Sequence, residues 1–140
     1  MREPAWRILI VDDAEIADLV EELLTDEGYL VTITQGRDEE SVRAAAERFR
    51  PDCVLLDGDI PGNYGELWAD AAWMAARPIP VPVIMFSADR QATGEAWDDE
   101  SERARAAHFS SVLPKPFDLD EMLRVVTLAV DQSPFRREAE

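Results

Sequence analysis

A chain of 140 residues with 46% hydrophobic and 31% charged residues has the content of one globular domain and is too apolar for wholesale disorder. Its formal net charge of −16 opposes a phosphate backbone or an anionic membrane as partner and suits a protein that binds cations. The single cysteine, Cys53, excludes an internal disulfide. No stretch approaches the ~20 apolar residues of a membrane span, and the N-terminus lacks the apolar core of a signal peptide, so a cytoplasmic protein is expected.

The first element is the apolar run Arg7 to Val11, which reads as a strand and ends in Asp12-Asp13. Ile16, Leu19, Val20, Leu23 and Leu24 then share one face of an amphipathic helix, closed by Gly28. Leu30 to Thr34 is β-branched and reads as a second strand. A polar helix follows with Val42, Ala45, Ala46 and Phe49 inward, and Pro51 stops it.

Cys53-Val54-Leu55-Leu56 is too short for a helix and runs straight into Asp57, followed by the turn formers Gly58, Asp59, Pro61 and Gly62. Such a run reads as a strand buried on both faces, the type found in helix-covered parallel sheets. Gly65 to Arg77 is expected to be helical with Leu67, Trp68, Ala71, Ala72 and Ala75 facing in. Pro78, Pro80 and Pro82 lead to a fourth strand, Val83 to Phe86, ending at Ser87-Ala88-Asp89.

Arg90 to Ser111 is the least patterned segment. Ala88 to Asp99 reads as a loop, with a short helix after it around Ala104, Ala106 and Ala107. The acidic run Asp98 to Glu102 fits the first turn of that helix, and His108 reads as a solvated side chain. A short strand, Val112 to Pro114, meets Lys115-Pro116-Phe117. The last helix starts near Asp118, with Leu119, Met122, Leu123, Val126 and Val130 on one face. One domain over 1–132 and a polar tail over 133–140 are expected.

Five strands alternating with five helices imply a doubly wound α/β fold: a flavodoxin-like parallel sheet in the order 2-1-3-4-5. Ligands of such sheets bind beyond the carboxyl ends of the strands. Those ends carry Asp12 and Asp13, Asp57, Ser87 and Lys115. Carboxylates converging on one point repel unless a cation lies among them, and oxygen ligands with room for water suit Mg²⁺. A hydroxyl and an ammonium opposite suit a phosphoryl group, and a carboxylate can be its acceptor. Lys115 is the only lysine among 14 Lys and Arg residues, which marks it for a task that a compact point charge performs.

The pattern resembles a response-regulator receiver domain of two-component signalling. The likeness rests on Val11-Asp12-Asp13, the Leu55-Leu56-Asp57 strand with Pro61 and Gly65 beyond it, Ser87-Ala88, and Lys115-Pro116-Phe117. It implies that Asp57 accepts phosphate from a sensor histidine kinase or phosphotransfer protein. Asp13, Asp57 and the carbonyl of Asp59 would ligate Mg²⁺, with Asp12 helping through water. Ser87 and Lys115 would hold the phosphoryl oxygens. The resemblance also implies a cis Lys115-Pro116 bond, a monomer or weak dimer, a protein target that the sequence does not name, and no enzymatic activity beyond its own phosphorylation and dephosphorylation. In such domains the residues two beyond the acceptor and two beyond the hydroxyl, here Asp59 and Asp89, influence hydrolysis; they either orient the attacking water or add negative charge beside the phosphate, and the first is expected.

Two features depart from the family pattern. Val112 stands three positions before the lysine, where an aromatic residue is common, and the stretch from Ser87 to Lys115 is lengthened. Leu55-Leu56-Asp57-Gly58-Asp59 is also similar to the first motif of haloacid dehalogenase-like phosphatases. There the acidic pair follows the lysine, whereas Asp12-Asp13 precedes Asp57 here. An interaction module that is not phosphorylated is the other alternative. With no helix-turn-helix and no basic stripe, direct nucleic-acid binding is not expected.

Overall fold

Strands that are apolar throughout need cover on both faces. In the computed structural model, which describes residues 6–11, 14–34, 39–57 and 64–131, they receive it. The strands are β1 (Arg7–Val11), β2 (Leu30–Thr34), β3 (Cys53–Asp57), β4 (Val83–Ser87) and β5 (Ser111–Pro114). They form one parallel sheet in the order β2-β1-β3-β4-β5, as expected. Every residue of β3 and β4 is buried. The register sets Val11 beside Leu56, Asp57 beside Phe86, and Ser87 beside Pro114, so the strands end at one level.

The helices are α1 (Ala14–Asp26), α2 (Glu39–Phe49), α3 (Tyr64–Ala75), α4 (Arg90–Ala96), α5 (Glu102–Ala107) and α6 (Leu119–Asp131). On one face of the sheet, Val20 and Leu24 of α1 and Met122, Val126 and Val130 of α6 pack on Ile8, Ile10, Leu55, Ile84 and Phe86. On the other, Val42, Trp68, Met74, Ala92 and Ala104 of α2 to α5 meet Leu9, Val54, Leu56 and Met85, with Val112. Burial of each large aliphatic or aromatic side chain contributes ~1.5–3 kcal/mol. Cys53 is fully buried, and burial, with the charge of adjacent Asp52, pushes its thiol far above the ordinary value.

The expected count of five helices is corrected to six among the described residues. Residues 90–96, read as loop, form α4. Its core contribution is only Ala92 and Ala96, one turn apart, and Gly94 lies between them, so no apolar period marks it. Asp89 caps it, accepting from the backbone N–H of Gln91 (2.9 Å) and Ala92 (3.4 Å).

Smaller corrections concern faces and ends. Leu19 is 53% exposed rather than inward. In α3, Ala72 and Ala75 are only partly buried while Asp70 and Met74 are buried, and the helix ends at Ala75 rather than Arg77. The side chains of Ile16 and Leu67 and the tail 133–140 lie outside the described residues.

A compact set of polar contacts joins α4 to α5. Glu95 accepts from Arg103 Nε (2.5 Å) and Nη2 (2.7 Å) and from the hydroxyl of Ser101 (2.8 Å). Ser101 also caps α5 through Ala104 N–H, and of the acidic run expected in the first turn Glu102 lies there. His108, exposed, closes α5 in the left-handed region at φ +50°.

Two outcomes are expected here. A Cβ added at Gly94 meets nothing within 4 Å and the residue has no positive φ, so Gly94→Ala should raise stability by about 0.5–1 kcal/mol in a urea titration. The second concerns pH. Hydrogen bonds from Arg103 and then Ser101 hold the Glu95 carboxyl at about 2 against an ordinary 4.5. A depressed folded value contributes stability that is present above 4.5 and lost as pH falls from there through about 2. Glu95→Gln should therefore lose less stability than the parent across that window, read from urea midpoints.

Candidate functional site

Asp57 ends β3, where the apolar run delivers it to the carboxyl edge of the sheet; it is 5% exposed. Burying a lone carboxylate is costly, so a partner is required. Lys115, just past β5, supplies it: Nζ lies 3.0 Å from Asp57 Oδ1. Since β4 lies between β3 and β5, this contact spans the end of β4.

The lysine is held from several sides. Its backbone N–H donates to the carbonyl of Ser87 (2.8 Å), and the Lys115-Pro116 bond is cis, as the resemblance implied. The ammonium lies over the Phe86 ring, 5.0 Å from its centroid, and Phe117 meets Phe86 edge-on at 6.1 Å. These two aromatics belong to the site, and sequence reasoning assigned them no role. The signal was Phe at the end of β4 and Phe two residues after the lysine.

Ser87 ends β4 and is fully buried. Its Oγ accepts from the backbone N–H of Asp89 (3.0 Å). A hydroxyl that accepts at oxygen retains its own proton to donate. Asp89, expected to orient a water, has its carboxylate on the N–H groups that start α4.

Asp57, Ser87 and Lys115 are thus brought together. Asp12, Asp13 and Asp59 lie outside the described residues. No group of three or more potential metal ligands occurs among the described residues. The donor chemistry nevertheless fits Mg²⁺: Asp57 is a buried hard oxygen donor, and the strand preceding Asp12 pairs alongside β3 through Val11 and Leu56.

The chain belongs to the response regulator receiver domain family, whose pattern it matches over residues 8–127. The transcriptional regulatory protein PdtaR of Mycobacterium tuberculosis is 32% identical over 127 residues, covering 90% of this chain and 57% of that protein. The master transcriptional regulator RpaA of Synechocystis is 32% identical over 118 residues, 84% of this chain and 46% of its own. The chain therefore spans about half the length of these curated relatives.

Among solved structures, a response regulator receiver protein of Burkholderia phymatum has a TM-score of 0.68 at 30% identity, covering 92% of this chain and 98% of that one. The receiver domain of a Pseudomonas aeruginosa sensor histidine kinase, with magnesium coordinated in its active-site cleft, has a TM-score of 0.68 at 26% identity, covering 92% and 100%. The receiver domain of a Vibrio parahaemolyticus LuxO-type repressor shares the fold, with a TM-score of 0.75 at 21% identity and 98% of each chain.

The Lys115–Asp57 contact sets a measurable expectation. Lys115→Met leaves a buried carboxylate without its ammonium and should cost about 1.5–3 kcal/mol, the range for hydrogen bonds to charged groups. Adding Asp57→Asn should recover part of that loss. A double-mutant cycle from denaturant titrations reads the coupling.

Proposed function

We propose that this chain takes a phosphoryl group from a phosphohistidine of a sensor kinase or phosphotransfer protein onto the carboxylate of Asp57. The observation that carries this reading is a buried carboxylate held 3.0 Å from the chain's only lysine, with a fully buried serine one residue past Phe86, its partner on the adjacent strand. An Asp57 oxygen forms the new bond to phosphorus as the phosphorus–nitrogen bond breaks, and its electron pair returns to the donor imidazole. Lys115 offsets charge on the phosphoryl oxygens, and Ser87 donates its hydroxyl proton to one of them. Asp57, Asp13 and the carbonyl of Asp59, with Asp12 helping through water, would hold Mg²⁺, which would supply the remaining neutralisation.

The donor protein has a place to rest. A hollow of about 390 Å³ beside Lys115 is lined by Leu19, Pro116, Phe117 and Leu119, and Leu19 and Leu119 are 53% and 39% exposed. A helix bringing a histidine toward Asp57 covers this apolar ground. No helix among the described residues is long and apolar enough to cross a membrane. We place the activity in the cytoplasm, where such kinases phosphorylate.

Acetyl phosphate with Mg²⁺ should add one phosphoryl group to the chain, seen by intact mass. Asp57→Asn or chelation of the metal should prevent it. Undiminished labelling of Asp57→Asn would reject the acceptor, and turnover of p-nitrophenyl phosphate would revive the phosphatase alternative.

A further inference from the structure

α4 has seven residues, too few to hold a helix by itself, and only two small alanines anchor it in the core. Its ends therefore fix its position. At the start, Asp89 makes three contacts within four residues: its carboxylate caps Gln91 and Ala92, and its N–H donates to Ser87 Oγ. At the far end, Glu95 takes a bidentate ion pair from Arg103 and a hydrogen bond from Ser101, the residue that caps α5.

The linkage continues into α3. The Arg103 guanidinium lies 4.6 Å from the centroid of the Trp68 ring, and Trp68, 3% exposed, meets Phe109 edge-on at 5.5 Å. Ser87 is thus linked through the Asp89 cap and the backbone of α4 to Glu95, and from there by side chains to α5 and α3. Planar guanidinium geometry lets Arg103 bind the carboxylate through two N–H donors while it lies over the ring.

We propose that Glu95 is a positioning residue that locks α4 to α5, so that loading of the acceptor site displaces the two helices together. The inference rests on the proposed phosphoryl chemistry at Asp57. A phosphoryl oxygen on Asp57 draws the Ser87 hydroxyl, the same atom that receives the Asp89 N–H. The first turn of α4 follows, because its cap and its serine contact belong to one residue. With Glu95 bonded to Ser101 and Arg103, the far end of α4 cannot swing without carrying α5. Val112 offers no pair of alternative ring positions, so this block takes over as the moving part.

Hydrogen exchange read by mass spectrometry on the full chain, with and without beryllofluoride and Mg²⁺, tests the lock. Intact-mass labelling by acetyl phosphate on the same preparations reports the acceptor chemistry separately. In the parent, exchange should change in residues 89–97 and in 102–109 together. In Glu95→Gln and in Arg103→Ala, the change in 89–97 should persist while that in 102–109 falls by at least half. A labelled parent that responds in 89–97 alone overturns the lock, as does a coupled response that survives both substitutions. An unlabelled parent overturns the phosphoryl reading and the lock with it.

Discussion

The contact between Lys115 Nζ and Asp57 Oδ1 is the constraint on which the carboxyl edge of the sheet depends. It joins the ends of β3 and β5 across β4, so the three strands must finish at one level and β4 must end in a small residue. Ser87 meets that need and adds a hydroxyl. Burial gives the pair its meaning. Asp57 and Lys115 side chains are 4% and 15% exposed, where solvent screens little and a missing partner costs more than at the surface. The aromatic pair Phe86 and Phe117 gives the ammonium a favourable wall in place of water.

Most of the architecture was legible because the two periodicities are clean. β3 and β4 are short, wholly apolar and ended by turn formers, and α6 shows its apolar stripe at Met122, Val126 and Val130. The strand-end residues then gave the site its chemistry. α4 was not legible, for a physical reason: its stability comes from a cap and an ion pair to a residue eight positions on, not from an apolar face. Leu19 misled in the opposite sense. Helical spacing marks it as inward, yet it faces the hollow beside Lys115. Spacing identifies a stripe but not whether its edge is covered by the chain itself.

The near-exclusive use of arginine elsewhere has a structural counterpart. Among the described residues, four guanidinium groups lie over rings: Arg7 over Phe49, Arg103 over Trp68, and both Arg43 and Arg77 over Trp73. Arg43 also approaches the buried carboxylate of Asp70 at 3.5 Å, and Arg77 approaches Glu47 at 3.6 Å. Each of these cations lies near a ring and also near an anion or a carbonyl, a double task suited to a planar, weakly hydrated group. Lys115 is also near a ring, but it serves a carboxylate at the end of a strand, where a point charge on a flexible stem reaches without demanding a plane.

Cys53 gives the molecule a use that its signalling chemistry does not require. The thiol sits at the head of β3, fully enclosed, four residues before Asp57 in the same strand. Thiol reagents attack the thiolate, and enclosure both shields this sulfur and suppresses its ionisation. Alkylation therefore proceeds through molecules in which the central strand has come free. With one cysteine in the chain, each such event adds one mass increment. When reclosure is fast, the labelling rate tracks the open population, so the protein carries a native gauge of how tightly the strand bearing Asp57 is held.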